Sequence, residues 1–322
     1  MKKATKIWLI TAAVLVVAGI IIFGGAMTMI KWDFLRLSTV KYETNSYDIS
    51  EAFEDISIKG DVADITFLPS EDGKTSVECI EREKVKHSVS VKDGVLVIES
   101  VDERKWYEHI EIISADMSIT LRIPQGEYGR LSIDSSTGDI TVPKEHSFKS
   151  MDISQSTGDI TSHASVSESL SIKVTTGDIR IENISAGSLE LSVSTGEITA
   201  SGVDCDGDVK LSTTTGKNCL TDVRCKSLTS DGDTGDLIMK NVVVSEKISV
   251  KRSTGDVTLD SSDAAELYIR TTTGDVKGTL LTEKIFIADT DTGRKDVPNT
   301  LSGGKCDVTT DTGDIKFSIK NK

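Results

Sequence analysis

A Thr-Gly pair recurs along most of the chain. Its glycines are Gly138, Gly158, Gly177, Gly196, Gly216, Gly235, Gly255, Gly274, Gly293 and Gly313, always 19 or 20 residues apart. Ten copies at so constant a step constrain the fold more than any other feature. Self-similarity at a fixed short period marks an architecture of stacked repeats.

The flanks of each pair say what the repeat is made of. Seven and five residues before the glycine the chain is mostly apolar, as at Leu131 and Ile133 or Leu189 and Leu191. Two residues after it, eight of the ten copies carry Ile, Val or Leu, with Asn218 and Lys295 as exceptions. Alternation on both sides of a polar turn is the period-two signature of strands. A two-strand unit this short cannot bury its apolar face alone, and stacking successive units builds one continuous core. A propeller blade needs about 40–45 residues, leucine-rich repeats need a pattern that is missing here, and no helical spacing is present. The expected fold is therefore all-β, a single-stranded β-solenoid of about ten coils of 19–20 residues. At about 4.8 Å per coil it forms a rod on the order of 45–50 Å long.

Ahead of the regular coils, residues 45–125 alternate less periodically, as in "DISIKG", "TSVECI" and "MSITLRIP". Lys92-Asp93-Gly94 and Glu71-Asp72-Gly73-Lys74 read as hairpin turns. The expectation is an irregular β cap over 45–125 and the solenoid over 126–322, since an open solenoid end is an unpaired edge. At the far end, Lys316, Lys320 and Lys322 are suited to discourage edge pairing.

The first thirty residues differ. Lys2, Lys3 and Lys6 precede an uncharged run from Ile7 to Ile30, and Lys31-Trp32 follow it. About 20 apolar residues cross a hydrocarbon core. The run predicts a transmembrane anchor over 7–30, with residues 1–6 cytoplasmic, a linker over 31–44 and the remainder extracellular. A cleaved signal peptide ending near Gly24-Gly25-Ala26 is the competing reading. From residue 31 onward 34 basic residues stand against 51 acidic ones. That balance argues against nucleic acid and against lying on an anionic bilayer.

An N-terminal anchor, a strand-rich lead ending in "ITLRIP" and reiterated "STGDI"-like coils together resemble the bacterial "putative adhesin" family of unknown function with β-strand repeats. The resemblance spans roughly residues 45–322. It implies a cell-envelope surface protein and brings no catalytic residues.

At each corner, glycine suits positive φ and the Thr hydroxyl is suited to satisfy backbone groups at the bend. Asp follows the glycine in seven copies, and Glu197, Lys217 and Arg294 in the others. The column reads as architecture, with Lys217 and Arg294 relieving repulsion between stacked acids. Arg294 is placed by chain order between Asp275 and Asp314. A calcium ladder is the competing reading, but the glycine-rich nonapeptide of calcium-binding β-rolls does not occur.

Other chemistry is sparse. His87, His109, His146 and His163 read as lone surface imidazoles. Cys306 takes a core position, Cys219 an outward one, and Cys205 and Cys225 stack on neighbouring coils as a possible disulfide. A zinc site at Cys205, Cys219 and Cys225 lacks the usual ligand spacing. Trp106-Tyr107 reads as a loop pair packed on the cap, or a partner contact. We therefore expect no catalytic, cofactor or metal site, and a non-enzymatic, membrane-anchored scaffold. Its partner would be a cell-envelope polymer or a membrane or surface protein. The alternatives are an envelope-stress sensor acting through a membrane partner and, less favoured, a polysaccharide-active β-helix enzyme.

Overall fold

The computed structural model describes residues 3–29, 31–32, 41–104 and 117–320. Helix α1 spans Lys3–Met29, and its stretch Thr5–Met29, of mean hydropathy 2.7, is long and apolar enough to cross a membrane. Beyond it, every regular element among the described residues is a strand.

One coil shows how the sequence builds the rod. From Ile179 the chain runs inward-outward through Ile179 and Ile181, turns at Asn183, and buries Ile184 and Ala186. It then buries Leu189, Leu191 and Val193 before turning again at Thr195-Gly196. Three short apolar runs thus face one core, while Glu190 and the corner residues face solvent. The second turn also forms a column, in which Asn183, Gly202, Asp222, Asn241 and Ser261 all take φ between 51° and 63°. Asn and Asp tolerate this conformation because their short polar side chains bond locally. Asn241 Nδ2 donates to Asp222 Oδ1 one coil away, at 3.0 Å.

Successive coils pair in parallel and in register, so that like positions stack: Leu170 on Leu189, Leu189 on Val209, Thr176 on Thr195. The core is continuous from Ile56 to Phe317. The all-β solenoid with a single N-terminal apolar helix is as the sequence predicts.

The order of coils departs from the sequence at both ends. In the lead segment, β1 (Tyr42–Ile49), β2 (Asp55–Val62), β3 (Asp64–Pro69), β4 (Thr75–Arg82), β5 (Val85–Lys92), β6 (Val95–Asp102) and β7 (Ser118–Ile123) precede the first Thr-Gly coil. That coil is built of β8 (Gly126–Thr137) and β9 (Ile140–Val142). Strands β2 and β3 are no irregular cap. They form a full coil in register with β8 and β9, with Ile56 on Leu131 and Ile65 on Ile140, and turn at Val62-Ala63-Asp64 in the corner column. Strands β6 and β7 make a further layer on β2 and β3. Among the described residues, only β1, β4 and β5 close the end, all antiparallel. Lys92-Asp93-Gly94 is the β5–β6 hairpin, with Asp93 and Gly94 at φ 51° and 78°. Glu71-Asp72-Gly73-Lys74 is not a hairpin, because β7 lies between the strands it joins.

At the other end the last two coils are transposed. The strand Glu266–Thr273 pairs with Gly304–Thr312, and only that strand pairs with Lys284–Thr292. The chain skips one level outward at residues 281–303 and returns to fill the gap. In space the corners therefore run Gly255, Gly274, Gly313, Gly293.

Candidate functional site

The corner column is the feature the sequence singled out, and its geometry shows two separate reasons for its residues. Nine of the ten corner glycines lie at φ between 127° and 152°, Gly293 being the exception. Each also sits against the coil before it. A Cβ on Gly177 would lie 2.1 Å from Gly158 O, and one on Gly235 would lie 1.9 Å from Gly216 O. Close approach of backbone to backbone, as much as the bend, therefore excludes a side chain. The hydrogen bonds at the bend run through the Thr carbonyl rather than its hydroxyl: Gly138 N donates to Thr157 O at 3.1 Å and Gly158 N to Thr176 O at 3.0 Å.

Asp has a defined task. Where the neighbouring coil carries Asp, the backbone N–H after the glycine donates to that Asp Oδ1. Asp139 N reaches Asp64 Oδ1 (2.8 Å), Asp159 N reaches Asp139 (2.9 Å), Asp178 N reaches Asp159 (2.8 Å) and Glu197 N reaches Asp178 (2.7 Å). The ladder resumes from Asp236 to Asp256 and Asp275 (2.9 and 2.8 Å) and ends through Asp314 to Arg294 (2.8 and 2.9 Å). Glu197 is one methylene longer and bonds Thr199 Oγ1 instead. Stacked like charges are tolerated because each carboxylate accepts an N–H, a charge-assisted bond. That bond, with Lys277 second, holds the Asp275 carboxyl below its ordinary range. Arg294 does not separate Asp275 from Asp314, as chain order suggested. The transposition makes those two neighbours and leaves Arg294 at the outermost corner.

Among the described residues, three buried polar clusters bear on chemistry. In the closed end, His87 Nδ1 lies 2.8 Å from Glu81 Oε2, His87 N donates to the same oxygen at 2.6 Å, and Asn45 Nδ2 donates to Glu81 Oε1 at 2.5 Å. Cys79 lies beside them, with its ligand atom and those of Glu81 and His87 all within 4.8 Å of one another. Its thiol is pushed up to about 12 by burial and by the charges of Glu81 and Glu78. These three ligand types fit a metal in principle, but both Glu81 oxygens are already taken up by protein donors. In mid-rod, Arg252 is buried in the core and its Nη2 reaches Ser230 Oγ at 3.0 Å. Gly232 makes room for it, since a Cβ there would lie 2.1 Å from Nη1. Burial lowers the pKa of this guanidinium. Near the far end, Lys284 Nζ meets Asp263 Oδ1 at 2.7 Å, and Thr282 Oγ1 donates to Asp263 Oδ2 at 2.7 Å. The flat face beside it carries a groove of about 600 Å³ lined by Val243, Ala264, Leu281 and Gly303 among others.

The remaining candidates fall out as follows. Cys205 and Cys225 are stacked in the core, and both are free thiols here, as are Cys79, Cys219 and Cys306. Cys306 is buried and Cys219 half-buried. His87 and His146 are not surface imidazoles: both are buried, and burial lowers the pKa of His146. His109 and Trp106-Tyr107 lie outside the described residues.

Outward positions form polar rows in register. One runs Ser132, Asp152, Ser171, Glu190, Lys210 and Thr229 down a single face. Further along, Tyr268 lies between Lys247 and Lys305, whose ammonium groups stand 4.5 and 5.0 Å from its ring centre.

A family model described as Toastrack DUF4097 matches residues 53–213 and 204–322. No curated protein matches the chain. Among solved structures, a "putative adhesin" from Bacteroides fragilis is 16% identical with a TM-score of 0.40, over 86% of this chain and 97% of that one. A "putative adhesin" from Parabacteroides distasonis is 12% identical with a TM-score of 0.48, over 84% and 98%. Another from Parabacteroides merdae is 12% identical with a TM-score of 0.30, over 84% and 96%.

Proposed function

The chain belongs to the Toastrack DUF4097 family, and from that premise we propose that it is a non-enzymatic, membrane-anchored β-solenoid that presents flat polar faces outside the cell. The reading rests on one observation above others: outward rows of Ser, Thr and charged residues repeat in register along the rod, behind a helix long enough to anchor it. Rows at about 4.8 Å spacing suit many weak polar contacts with a repeating partner. A cell-envelope polymer is the partner that matches this periodicity, with a membrane or surface protein as the other class. Orientation follows from the lysines ahead of the span, which keep the N-terminus inside. The cluster at Cys79–Glu81–His87 holds the fold rather than meets a substrate, since its side chains are sealed from solvent; Asp263 and Lys284 line the flat-face groove but are spent on each other.

The test uses the full chain in nanodiscs, incubated with purified bacterial envelope polysaccharide and peptidoglycan fragments. Saturable binding that weakens when Ser171, Glu190 and Lys210 are replaced together by alanine supports the reading. Absence of binding to polymer and to reconstituted envelope proteins refutes it.

A further inference from the structure

The two ends of the rod are built differently. At the end where the chain enters from α1, antiparallel strands β1, β4 and β5 cover the last parallel layer. At the other, the outermost strand, Lys284–Thr292, pairs on one side only, with Gly304–Thr312; no strand among the described residues pairs with its second edge, and the loop that follows touches its backbone only where the Thr300 hydroxyl donates to Lys284 O. Its inward Phe286 and Ala288 are only half-buried against the core, although their counterparts in the next coil, Cys306 and Val308, are fully buried. On its outer side Ile285 is 46% exposed and Ile287 50%, and Leu301, on the loop that follows, is 93% exposed.

A long, apolar, unpaired edge is a template for pairing. The devices that blunt such edges are confined to one half of this strand: Asp289 and Asp291 are exposed after Ala288, whereas in the first half Lys284 is spent on Asp263 and there is no proline. The predicted guards Lys316 and Lys320 do not stand on it, because the transposition puts their strand one level in.

We propose that this open end is a homophilic tip, at which two copies of the chain join end to end through antiparallel pairing of the apolar half of this strand, Lys284 to Ala288, with itself. The sequence of the edge picks the second copy as occupant. Ile285-Phe286-Ile287 reads the same in both directions, so a twofold axis at Phe286 sets Ile285 opposite Ile287 of the second copy, twice, and Phe286 opposite itself. That register keeps inward residues with inward and outward with outward, as an antiparallel pair requires. It is isologous and closes after two copies, which yields a pair and not a fibre. The anchors stand at the far ends, so the pair bridges two membranes. This deepens the scaffold reading by naming one partner, and it rests on that reading for the orientation of the rod.

The experiment uses the full chain, one copy per nanodisc, followed by analytical ultracentrifugation up to about 100 µM, where contacts in the weak range become populated. Pairs of discs are expected. The double substitution Ile285→Lys and Ile287→Lys lies on exposed positions, leaves the melting curve unchanged, and weakens pairing at least tenfold, whereas Val243→Lys on the flat side does not. Register is read by disulfide trapping. A mixture of Ile285→Cys and Ile287→Cys chains cross-links faster than either alone, since opposite residues fall in disulfide range and diagonal ones lie about 7–8 Å apart. Discs that stay single throughout, or pairing that survives the lysine substitutions, would overturn the tip. Pairing of wild-type chains with a different cross-linking register would equally overturn it. Retained polymer binding by the lysine variant separates failure at the tip from failure of the scaffold reading.

Discussion

Replacing Gly235 by alanine tests the corner ladder where it is most constrained. The new Cβ would lie 1.9 Å from Gly216 O and 2.6 Å from Gly216 C, so the two coils must part by more than 1 Å at that point. The backbone also holds φ at 128°, a region that costs an L-residue about 1–3 kcal/mol. Parting the corner weakens two inter-coil bonds, Gly216 N to Thr234 O and Asn218 N to Asp236 O, both 2.9 Å. At about 1 kcal/mol each, these bring the total to about 3–5 kcal/mol. The loss is local, because repeat arrays open in parts and do not melt as one two-state unit. Hydrogen exchange on the full chain is the assay. Amides of Gly216, Asn218 and their neighbours should lose protection by at least about a hundredfold, at tenfold per 1.4 kcal/mol. Amides near Ile65 should be unmoved. Ala63 is the built-in comparison, since it takes the same column position without positive φ. Protection at Gly216 within threefold of wild type would refute the steric argument.

Other expectations follow from the same contacts. Glu197→Asp should supply the missing acceptor for the Lys217 N–H and raise local stability by about 0.5–1.5 kcal/mol, read as slower exchange at that amide; slower exchange should not accompany Glu197→Gln. Maleimide should label Cys219 in the native chain, while Cys79, Cys205, Cys225 and Cys306 react only after unfolding: burial raises the pKa of all five thiols, and only Cys219 is within reach of the reagent. Mass mapping that finds all five equally reactive would contradict the core placement. His146 is buried and its folded pKa lies below the free value, so the unfolded chain takes up the proton first. Stability contributed by the neutral ring is complete above about pH 6.5 and is lost as pH falls below it. Thermal melts between pH 7.5 and 5 should show this fall, and His146→Phe should remove it.

The period, the alternation and the N-terminal span were legible because each is a local regularity repeated many times. Which coil stacks on which was not, since Gly274, Gly293 and Gly313 head nearly interchangeable repeats and chain order alone suggested the wrong neighbour for Asp275. The coil at Val62-Ala63-Asp64 stayed hidden for a simpler reason: with alanine in place of glycine, it lacks the letter by which the others were counted. Asp was visible in the column, but its task depends on an N–H from another coil, which spacing within one repeat cannot show. The buried Glu81 left a readable signal. It stands at the inward phase of "TSVECIER", after Thr75, Val77 and Cys79, where a carboxylate requires a partner. That the partner is His87, reached through the β4–β5 turn, follows only from the fold.

The transposed end of the rod supports both the corner ladder and the tip, and one distance comparison decides it. Thr273, Thr312 and Thr292 are exposed corner residues, with Thr273 paired to Thr312 and Thr312 to Thr292. In the full chain, the pair Thr273→Cys and Thr312→Cys sits one coil apart, at about 4.8 Å, and should oxidise rapidly to a disulfide. The pair Thr273→Cys and Thr292→Cys sits two coils apart, at about 9.6 Å, and should remain reduced. The opposite outcome, with Thr273 bridging to Thr292 and not to Thr312, would restore chain order and contradict the account.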